Sequence, residues 1–532
     1  MRYCRFDATF PYGPFKAGHH ILPAIILALI GAIIAPGYAP STSEPDDIKN
    51  IIKKAAKLTR AGTYAEAEAM LRRAVELDPK SSDAKLELAF VLTKERVLQE
   101  AYDLSFGIAE KERTNSRAFA VLGATLLTAG RFKEARLMFF NAIKLNRKEH
   151  LAWAGYGMLD FYENHINASL ENLRVAVYYK FDEPDYLFAL AQVSARSERY
   201  KEAADAYEMF LTVSSSADTE RRERIKGLIS FLKYLGNTSS IYRVVGNDQT
   251  TIPFELIGNR PIIELKLNDD PAPYRFVLDT GSGISVVSDE AAKRLKIKPV
   301  ARGGTAKGIG GDGKFEIVYG FLRQVDIGDV SLRNVPVYLR KFHKDGGRAA
   351  REPDGYIGLA LISKFLTTID YGNQTFSLTK KSDDVAQFNK DAELTLPLRL
   401  TSSGFLSGEV QLEGVESPLN FIVDTGASVS VISDSVAKTT PISSFANSER
   451  MRVIGSAGIT DDVPTFLLPR VSFGKNSRKD IMAVALDLDL INEASGFEQA
   501  GILGGNFLKN YRLTFDFKNS IVTFVSVKPE KE

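Results

Sequence analysis

Apolar residues in the first half of the chain recur at helical spacing, from about residue 47 to residue 236. This segment is rich in Ala, Leu, Glu, Lys and Arg and poor in Gly and Pro, as helices are. A second period of 34 residues lies beneath the helical one. It predicts a stack of helix pairs in which small residues mark the close crossings. The small positions are Ala67, Ala101, Ala135, Ser169 and Ala203, and the large apolar ones are Tyr64, Leu98, Phe132, Ile166 and Tyr200.

After Gly236 the pattern changes to short alternating apolar runs separated by Gly, Asn, Asp and Pro, which predicts β-strands. One fourteen-residue segment occurs twice, at 276–289 and 421–434, an offset of 145, with eight identical positions. Downstream motifs repeat at the same offset or at one residue more. We therefore predict two all-β domains, at 252–380 and 393–527. The downstream pairs are Ile309-Gly310 with Ile454-Gly455, and Tyr356-Ile357-Gly358 with Ile502-Leu503-Gly504.

The helical half resembles the tetratricopeptide repeats, which share its period of 34 residues. Pro79 falls at the closing turn of a repeat. The resemblance implies a solenoid over residues 47–236, with a concave surface that binds a protein partner or a substrate. The alternative is that the repeats serve only as a spacer.

The duplicated half resembles the retropepsin-like aspartic peptidases, particularly bacterial members with two such units in one chain. Each copy has apolar residues leading into Asp-Thr-Gly, then a glycine-containing hairpin, then two hydrophobic residues and a glycine. The resemblance implies a multidomain chain, in which an α-helical solenoid precedes two all-β acid-protease domains. It also implies an aspartic-type endopeptidase that acts on a protein or peptide.

The two Asp-Thr-Gly motifs supply Asp279 and Asp424. Peptide hydrolysis without a covalent intermediate needs one carboxylate to accept a proton from water and a protonated one to polarise the carbonyl. Two adjacent carboxyl groups provide both, because they cannot both ionise at low cost. Each aspartate follows three apolar residues, a position at the end of a buried strand where a carboxylate without a role would be costly. We therefore predict that Asp279 and Asp424 form a catalytic pair.

The resemblance assigns supporting roles to the rest of each loop. The threonines are implied to bond across the pair, and the glycines permit a tight turn without a Cβ clash. The next residue flanks the carboxylates, where a serine hydroxyl can donate a hydrogen bond that alanine cannot, so we expect unlike half-sites. The supporting residues are Thr280, Gly281 and Ser282 in the first copy and Thr425, Gly426 and Ala427 in the second.

A glycine-rich stretch, 308–313, matches the dinucleotide-binding pattern G-x-G-x-x-G. That pattern requires a helix after it, whereas residues 314–319 are β-branched and aromatic, which favours a hairpin. The stretch resembles the flaps of retroviral peptidases. The second copy has fewer glycines, so it is expected to be a stiffer cover or no flap at all. The flap residues are Gly308, Ile309, Gly310 and Gly311 in the first copy, and Ile454 and Gly455 in the second.

Composition narrows the remaining chemistry. The chain has 68 basic and 66 acidic residues, a net charge of +2 and 44% hydrophobic residues, which argues against a disordered or nucleic-acid-coating chain. Cys4 is the only cysteine, so the body of the chain has neither a disulfide framework nor a thiolate metal site. The five histidines lack metal-ligand spacing. We expect no metal, no organic cofactor and no nucleic-acid partner.

Residues 1–40 have the order of an export segment. Basic residues precede an uncharged apolar run from Ile21 to Ala35, the arrangement of a signal peptide. The run is somewhat short for a membrane span, which typically takes about 20 residues. A removed signal and a retained membrane anchor both remain open. Either one implies export, to a periplasmic or extracellular location or to a membrane tether.

Two rival hypotheses remain. In the first, the β domains bind peptide or support a docking platform without catalysis. In the second, like domains pair between two chains to make a homodimeric peptidase. The repeats account for their own packing, so the array is also expected to be separable from the duplicated half.

Overall fold

The computed structural model describes residues 48–216, 218–238, 240–343, 353–381 and 394–527. An array of eleven helices precedes strands that form three sheets. The fold class expected from the sequence is therefore confirmed. The predicted export segment, 1–40, lies outside the described residues. Within those residues, no helix is both long and apolar enough to span a membrane.

The helical array keeps the period of 34 residues in its helix boundaries. Every position of the small-residue series that includes Ala67 is fully buried. Such positions let paired helices approach closely, and larger apolar residues fill the remaining space. The helices are α1 Ile48–Ala61, α2 Tyr64–Leu77, α3 Ser82–Lys94, α4 Leu98–Lys111, α5 Ser116–Thr128, α6 Phe132–Leu145, α7 His150–Tyr162, α8 Ile166–Tyr179, α9 Pro184–Arg196, α10 Tyr200–Val213 and α11 Thr219–Asn237.

The turns inside the helix pairs form the edge that packs on the β domains. Each turn has one residue in the left-handed backbone region, with φ between 61° and 82°. Four of the five contact the β domains: two form ion pairs, one donates hydrogen bonds, and Gly130 lies against Asn420. The five residues are Gly62, Arg96, Gly130, Asn164 and Glu198.

This interface adds to the packing within the array, and whether the array can be separated from the β domains stays a prediction. Phe497 of the second β domain is fully buried, and its ring lies 4.9 Å from Phe132 and 5.0 Å from Tyr162. Removing the array would expose this ring to water, an unfavourable change. The array and the β domains therefore share a core.

The first β domain contains twelve described strands and two short helices. The strands are β1 Arg243–Gly246, β2 Gln249–Pro253, β3 Glu255–Ile257, β4 Arg260–Leu267, β5 Tyr274–Leu278, β6 Val286–Ser288, β7 Ala301–Lys307, β8 Lys314–Ile327, β9 Val330–Arg340, β10 Gly355–Ile357, β11 Phe365–Asp370 and β12 Thr375–Lys380. The helices are α12 Asp289–Arg294 and α13 Leu359–Ile362.

The second β domain repeats this plan in its described part. Its strands are β13 Leu394–Pro397, β14 Arg399–Leu400, β15 Leu406–Leu412, β16 Leu419–Val423, β17 Ser430–Ser433, β18 Ala446–Ile454, β19 Ile459–Phe473, β20 Asn476–Leu486, β21 Gly501–Leu503, β22 Tyr511–Asp516 and β23 Ile521–Ser526. Its short helices are α14 Asp434–Ala437, α15 Thr440–Ser443, α16 Asp489–Ser495 and α17 Gly505–Leu508.

Each β domain has its own large sheet, and a third sheet joins the two domains. The joint sheet has the strand order β13-β23-β22-β11-β12-β2, with β11 antiparallel to β22. Thr368 faces Thr514 at the centre of this pairing, and their hydroxyl oxygens are 3.0 Å apart. Because the two threonines occupy equivalent positions, this pair marks a pseudo-twofold axis. One hydrophobic core extends across both domains.

Candidate active site

Each Asp-Thr-Gly loop begins where a buried strand ends. Strand β5 runs parallel to β10, and the backbone N–H of Asp279 donates to the carbonyl of Ile357 over 3.0 Å. In the second domain, β16 runs parallel to β21, and the N–H of Asp424 donates to Leu503 over the same distance. The downstream hydrophobic-Gly motifs thus supply the strands that hold the aspartates in place.

The two loops meet and exchange hydrogen bonds across the pseudo-twofold axis. The hydroxyl of Thr280 donates to the carbonyl of Val423 over 2.6 Å, and it accepts from the N–H of Thr425 over 3.1 Å. Thr425 makes the mirror-related bonds, to Leu278 over 2.7 Å and from the N–H of Thr280 over 3.2 Å. Both threonines are buried. These four bonds fix the two aspartates relative to each other.

The glycines of the loops make room for the opposite aspartate. A Cβ on Gly426 would lie 2.7 Å from the Cγ of Asp279, and a Cβ on Gly281 would overlap the carboxyl group of Asp424. The N–H of each glycine also donates to its own loop's aspartate, over 2.9 Å for Asp279 and 2.7 Å for Asp424. The two carboxyl groups are therefore in close contact.

This contact changes the acidity of the pair. Burial, the charge of Asp424 and a hydrogen bond between the two side chains raise the pKa of Asp279 well above its ordinary value. Burial also raises the pKa of Asp424, partly offset by the hydrogen bond from Asp279 and by backbone N–H donors. Two adjacent carboxyl groups with raised pKa values favour sharing one proton. The pair offers an acid and a base at the same point.

Ser282 and Ala427 flank the pair, but the expected hydrogen bond from Ser282 has a different acceptor. Its hydroxyl donates to the backbone carbonyl of Ile284 over 2.8 Å. The backbones of the two residues behave alike, since the carbonyl of Ser282 accepts from Leu359 and that of Ala427 from Gly505. The hydroxyl group that serine has and alanine lacks is therefore hydrogen-bonded within the first loop.

Two hairpins, one from each domain, meet at their tips. Strands β7 and β8 form the first hairpin and β18 and β19 the second. Their tips touch: the carbonyl of Ile309 accepts from the N–H of Ala457 over 2.8 Å, and the N–H of Ile309 donates to the hydroxyl of Ser456 over 3.2 Å. Glycines allow this approach, because a Cβ on Gly455 would overlap the carbonyl of Ile309. Gly310, with φ of +87°, would meet Gly458 in the same way.

The remaining predicted flap residues lie at the same contact. Gly308 packs on the side chain of Ser456, and Gly311 lies against Ala457. Ile454 ends strand β18 and pairs with Ile459. The structure thus brings both glycine-containing stretches together in hairpins.

Comparison with protein families agrees with this geometry. The aspartyl protease family model matches residues 263–361 and again residues 408–507. The tetratricopeptide repeat model matches residues 58–124. This chain carries two aspartyl protease domains and a tetratricopeptide repeat region. Among curated proteins, none matches the chain significantly.

Solved structures match part of the chain at low identity. A tetratricopeptide repeat protein of Thermus thermophilus is 16% identical; the match covers 36% of this chain and 98% of that protein, with a TM-score of 0.30. PilF of Pseudomonas aeruginosa is 18% identical, and the match covers 36% of this chain and 86% of that protein, with a TM-score of 0.27.

Two serines that the sequence analysis did not assign support the loops of the aspartyl protease domains. Ser285 accepts a hydrogen bond from the N–H of Gly358, and Ser430 accepts one from Gly504, both over 3.1 Å. Each therefore ties the Asp-Thr-Gly loop to the downstream glycine. The available signal was their identity at equivalent positions of the duplicated segment.

One group of potential metal ligands lies outside the aspartyl protease domains. The ligand atoms of Asp160, Glu163 and His165 in the repeat region lie within 4.8 Å of one another. Asp160 already accepts hydrogen bonds from Arg136 over 3.2 Å and from Asn172 over 2.9 Å. This network accounts for the buried carboxylate without a metal.

Proposed function

We propose that this protein is an aspartic-type endopeptidase whose catalytic pair is Asp279 and Asp424. The observation that carries the proposal is the contact between the two carboxyl groups. Each lies against the glycine of the opposite loop, and the threonine hydrogen bonds hold them there. Two ionisable carboxyl groups pressed together at the end of buried strands are costly. Catalysis by a shared proton gives that cost a role.

The proposed reaction needs no group beyond the pair and a water molecule. The ionised carboxylate accepts a proton as the water oxygen attacks the peptide carbonyl carbon. The protonated carboxyl group donates to the carbonyl oxygen, which stabilises the tetrahedral intermediate. The C–N bond then breaks as the carboxyl group that took the water proton donates it to the leaving nitrogen. The other carboxylate accepts a proton from a hydroxyl group of the intermediate, so the pair is again singly protonated. The touching hairpins would exclude other water during these steps.

The geometry favours a pair formed within one chain over a pairing of like domains between two chains. The loops of Asp279 and Asp424 bond to each other, and the joint sheet pairs β11 of one domain with β22 of the other. A homodimer built on like domains would have to break both contacts. The completeness of the pair also counts against a purely structural role.

A second function, protein or peptide docking, is supported by the groove of the repeat region. The groove has a volume of about 470 Å³ and is lined by α1, α3, α5, α7 and α9. Its walls combine the rings of Phe90 and Tyr186 with charges of both signs. Lys94 and Asp185 form an ion pair of 2.8 Å across it. We propose that an extended peptide segment binds there by replacing such pairs.

Export is a further part of the proposal and depends on residues 1–40 alone. The basic and then apolar order of that segment supports delivery outside the cytoplasm, with or without a membrane tether. Cell fractionation followed by N-terminal sequencing of the mature protein tests it. Recovery of the intact chain from the cytoplasm only would contradict it.

The test of the peptidase proposal is hydrolysis of a diverse peptide library by the full chain, with and without pepstatin. We expect pepstatin-sensitive cleavage that is lost in Asp279→Asn. Asp269→Asn is a matched control, because Asp269 is an exposed turn residue. Loss of cleavage in the control, or equal cleavage in Asp279→Asn and the wild type, would refute the proposal.

A further inference from the structure

Arg340 and Leu486 occupy equivalent positions in the two aspartyl protease domains. Strand β9 runs parallel to β6 with Arg340 opposite Ser288, and β20 runs parallel to β17 with Leu486 opposite Ser433. Ser288 and Ser433 are the same position of the duplicated segment. The pseudo-twofold axis therefore relates an arginine on one side to a leucine on the other.

The side of the second domain is apolar. Leu486 belongs to a buried hydrophobic cluster with Leu488, Ile491 and Ile502. Ala427, three residues after the catalytic aspartate of that domain, packs against this cluster, as does Ile309 from the tip of the first hairpin. The cluster thus extends from beside the catalytic pair to the hairpin tips. It suits an apolar side chain.

The side of the first domain carries the guanidinium group of Arg340, which forms no ion pair within the described ranges. Its charge also acts on Asp279, where it partly offsets the rise in the pKa of that carboxyl group. Nη1 of Arg340 donates to the carbonyl of Ser456 over 3.0 Å, and Nε is buried without a hydrogen-bond partner among the described residues. The rings of Phe315 and Phe342 lie 4.9 and 5.4 Å from the guanidinium carbon. Aromatic contacts hold an arginine fork in place while leaving its donors available.

The hairpin tips cross to these two positions. Ile309 of the first hairpin packs on the apolar cluster of the second domain, and Ser456 of the second hairpin accepts from Arg340 of the first domain. One contact is an apolar side chain in an apolar pocket, and the other is an oxygen atom on a guanidinium. A substrate that separates the tips must replace both contacts with its own groups.

We propose that the cleft selects peptides with a carboxylate on the side of the first domain and a bulky apolar side chain on the side of the second. Arg340 is the residue that determines this choice, since a guanidinium binds a carboxylate through two parallel N–H···O bonds. The carboxylate is that of a glutamate or aspartate side chain. The inference deepens the proposed peptidase function and rests on it.

The experiment measures kcat/KM of the full chain for matched peptides. They share an apolar residue on one side of the scissile bond and carry Glu, Gln or Lys on the other, with free or amidated C-termini. The wild type should prefer Glu over Gln roughly 10- to 100-fold, the range expected for a charge-assisted hydrogen bond. A Glu over Gln preference that survives amidation of the C-terminus assigns the carboxylate to the side chain, and one that disappears overturns the inference.

Substitutions locate the preference. Arg340→Leu copies the residue of the second domain and should abolish the Glu/Gln ratio, and Arg340→Glu should invert it in favour of Lys. Arg333→Leu, at the opposite end of the same strand and exposed, is the matched control and should keep the ratio. A wild type that cleaves Glu, Gln and Lys peptides equally overturns the inference, whether or not the variants fold.

Binding separates this inference from the peptidase proposal. The double variant Asp279→Asn/Asp424→Asn is titrated with fluorescent Glu and Gln peptides, with and without Arg340→Leu. Tighter binding of the Glu peptide that depends on Arg340 supports the inference even where the wild type shows no hydrolysis. Equal affinity for both peptides refutes it even where the wild type is an active peptidase.

Discussion

The hairpin of the first aspartyl protease domain packs against the repeat region, whereas the hairpin of the second makes no comparable helix contact in the described residues. Helix α11 crosses strand β7 so closely that a Cβ on Gly227 would overlap the backbone of Arg302 and Gly303. Phe231 of α11 stacks on Tyr319 of β8, with ring centroids 4.3 Å apart. The first hairpin therefore has a support from outside its own domain.

The second hairpin packs only within the β domains in the described residues. The first five residues of β18 are exposed, and its pairing with β19 is irregular at two places. Two exposed ion pairs, Arg450 with Asp462 and Arg452 with Asp461, join its strands. Fewer glycines led us to expect the stiffer cover here. The structure gives the first hairpin the greater support, because helix α11 comes from a part of the chain that glycine content does not reflect.

The two Asp-Thr-Gly loops, in contrast, are symmetric. The threonine bonds, the glycine contacts and the strand pairing recur on both sides with nearly equal distances. The two Asp-Thr-Gly loops are thus alike, whereas the two hairpins differ in their support. The proposed catalytic aspartates occupy equivalent positions, whereas in the described residues only the first hairpin packs closely on the repeat region.

Helix α11, which supports the first hairpin, also contacts the groove that is proposed to bind a peptide. Glu220 of α11 accepts from the hydroxyl of Thr305 and pairs with Lys314, both over 2.9 Å, next to the tip of the first hairpin. The adjacent Arg221 forms an ion pair of 3.5 Å with Asp185, which lines the groove. Neighbouring residues of one helix thus contact the hairpin and the groove.

The largest expected effect tests the symmetry of the two Asp-Thr-Gly loops. Asp279→Asn and Asp424→Asn should each lower kcat/KM by about 10²- to 10⁴-fold, the contribution of a positioned acid or base. The double variant should lose little more, because the two residues act as a unit. Circular dichroism controls for folding. A single variant that retains substantial activity would break the symmetry and favour pairing between chains.

The threonine bonds should also contribute equally from the two sides. Thr280→Val and Thr425→Val each leave a buried backbone carbonyl and a buried N–H without their partners. We expect each to lower the free energy of unfolding by roughly 1–3 kcal/mol, measured by denaturant titration. Thr251→Val, at an exposed hydrogen-bonded threonine, serves as control. Clearly unequal losses in the free energy of unfolding at the two threonines would contradict symmetric Asp-Thr-Gly loops.

Gly227→Val should disturb one hairpin only. The added side chain must push α11 away from β7, which costs about 1–3 kcal/mol for an overpacked contact. Hydrogen exchange should rise in residues 301–319 and remain unchanged in residues 446–466. Gly107→Val is the matched control, because a Cβ at Gly107 meets no atom within 4 Å. Equal changes in both hairpins would remove the asymmetry.

The aspartate pair should make stability depend on pH. The pKa of Asp279 is raised in the folded chain by burial and by Asp424, so its contribution is fully present below the unfolded pKa. It is lost as the pH rises through the folded pKa. Asp279→Asn should therefore gain stability relative to the wild type as the pH rises above about 4. Thermal unfolding at a series of pH values checks this, and a constant difference would contradict it.

The smallest expected effect concerns Glu220. Its ion pair with Lys314 is exposed, and such pairs contribute about 0.2–1 kcal/mol. Glu220→Gln should therefore leave global stability nearly unchanged, yet speed hydrogen exchange in residues 301–319. Glu223→Gln, which removes an exposed pair within α11, is the control. Unchanged exchange in the hairpin would show that the contacts of Gly227 and Phe231 alone support it.

The order of the elements could be predicted because local spacing encodes it. The small residues at Ala67 and its equivalents require close helix crossings, and alternating apolar runs require strands. The duplicated Asp-Thr-Gly motif identified the loops of Asp279 and Asp424, since each motif includes its own strand and turn. The sequence by itself therefore determined the element types, the repeat register and the candidate aspartates.

Tertiary structure alone decided which surfaces meet. The turns at Arg96 and Asn164 pack on the second domain, α11 packs on β7, and Arg340 faces the tip of the opposite hairpin. These contacts join residues far apart in the chain, and no local periodicity distinguishes Arg340 from any other arginine that ends a strand. Packing of whole elements selects such contacts, because each buries apolar surface or satisfies a polar group only once all its neighbours are in place.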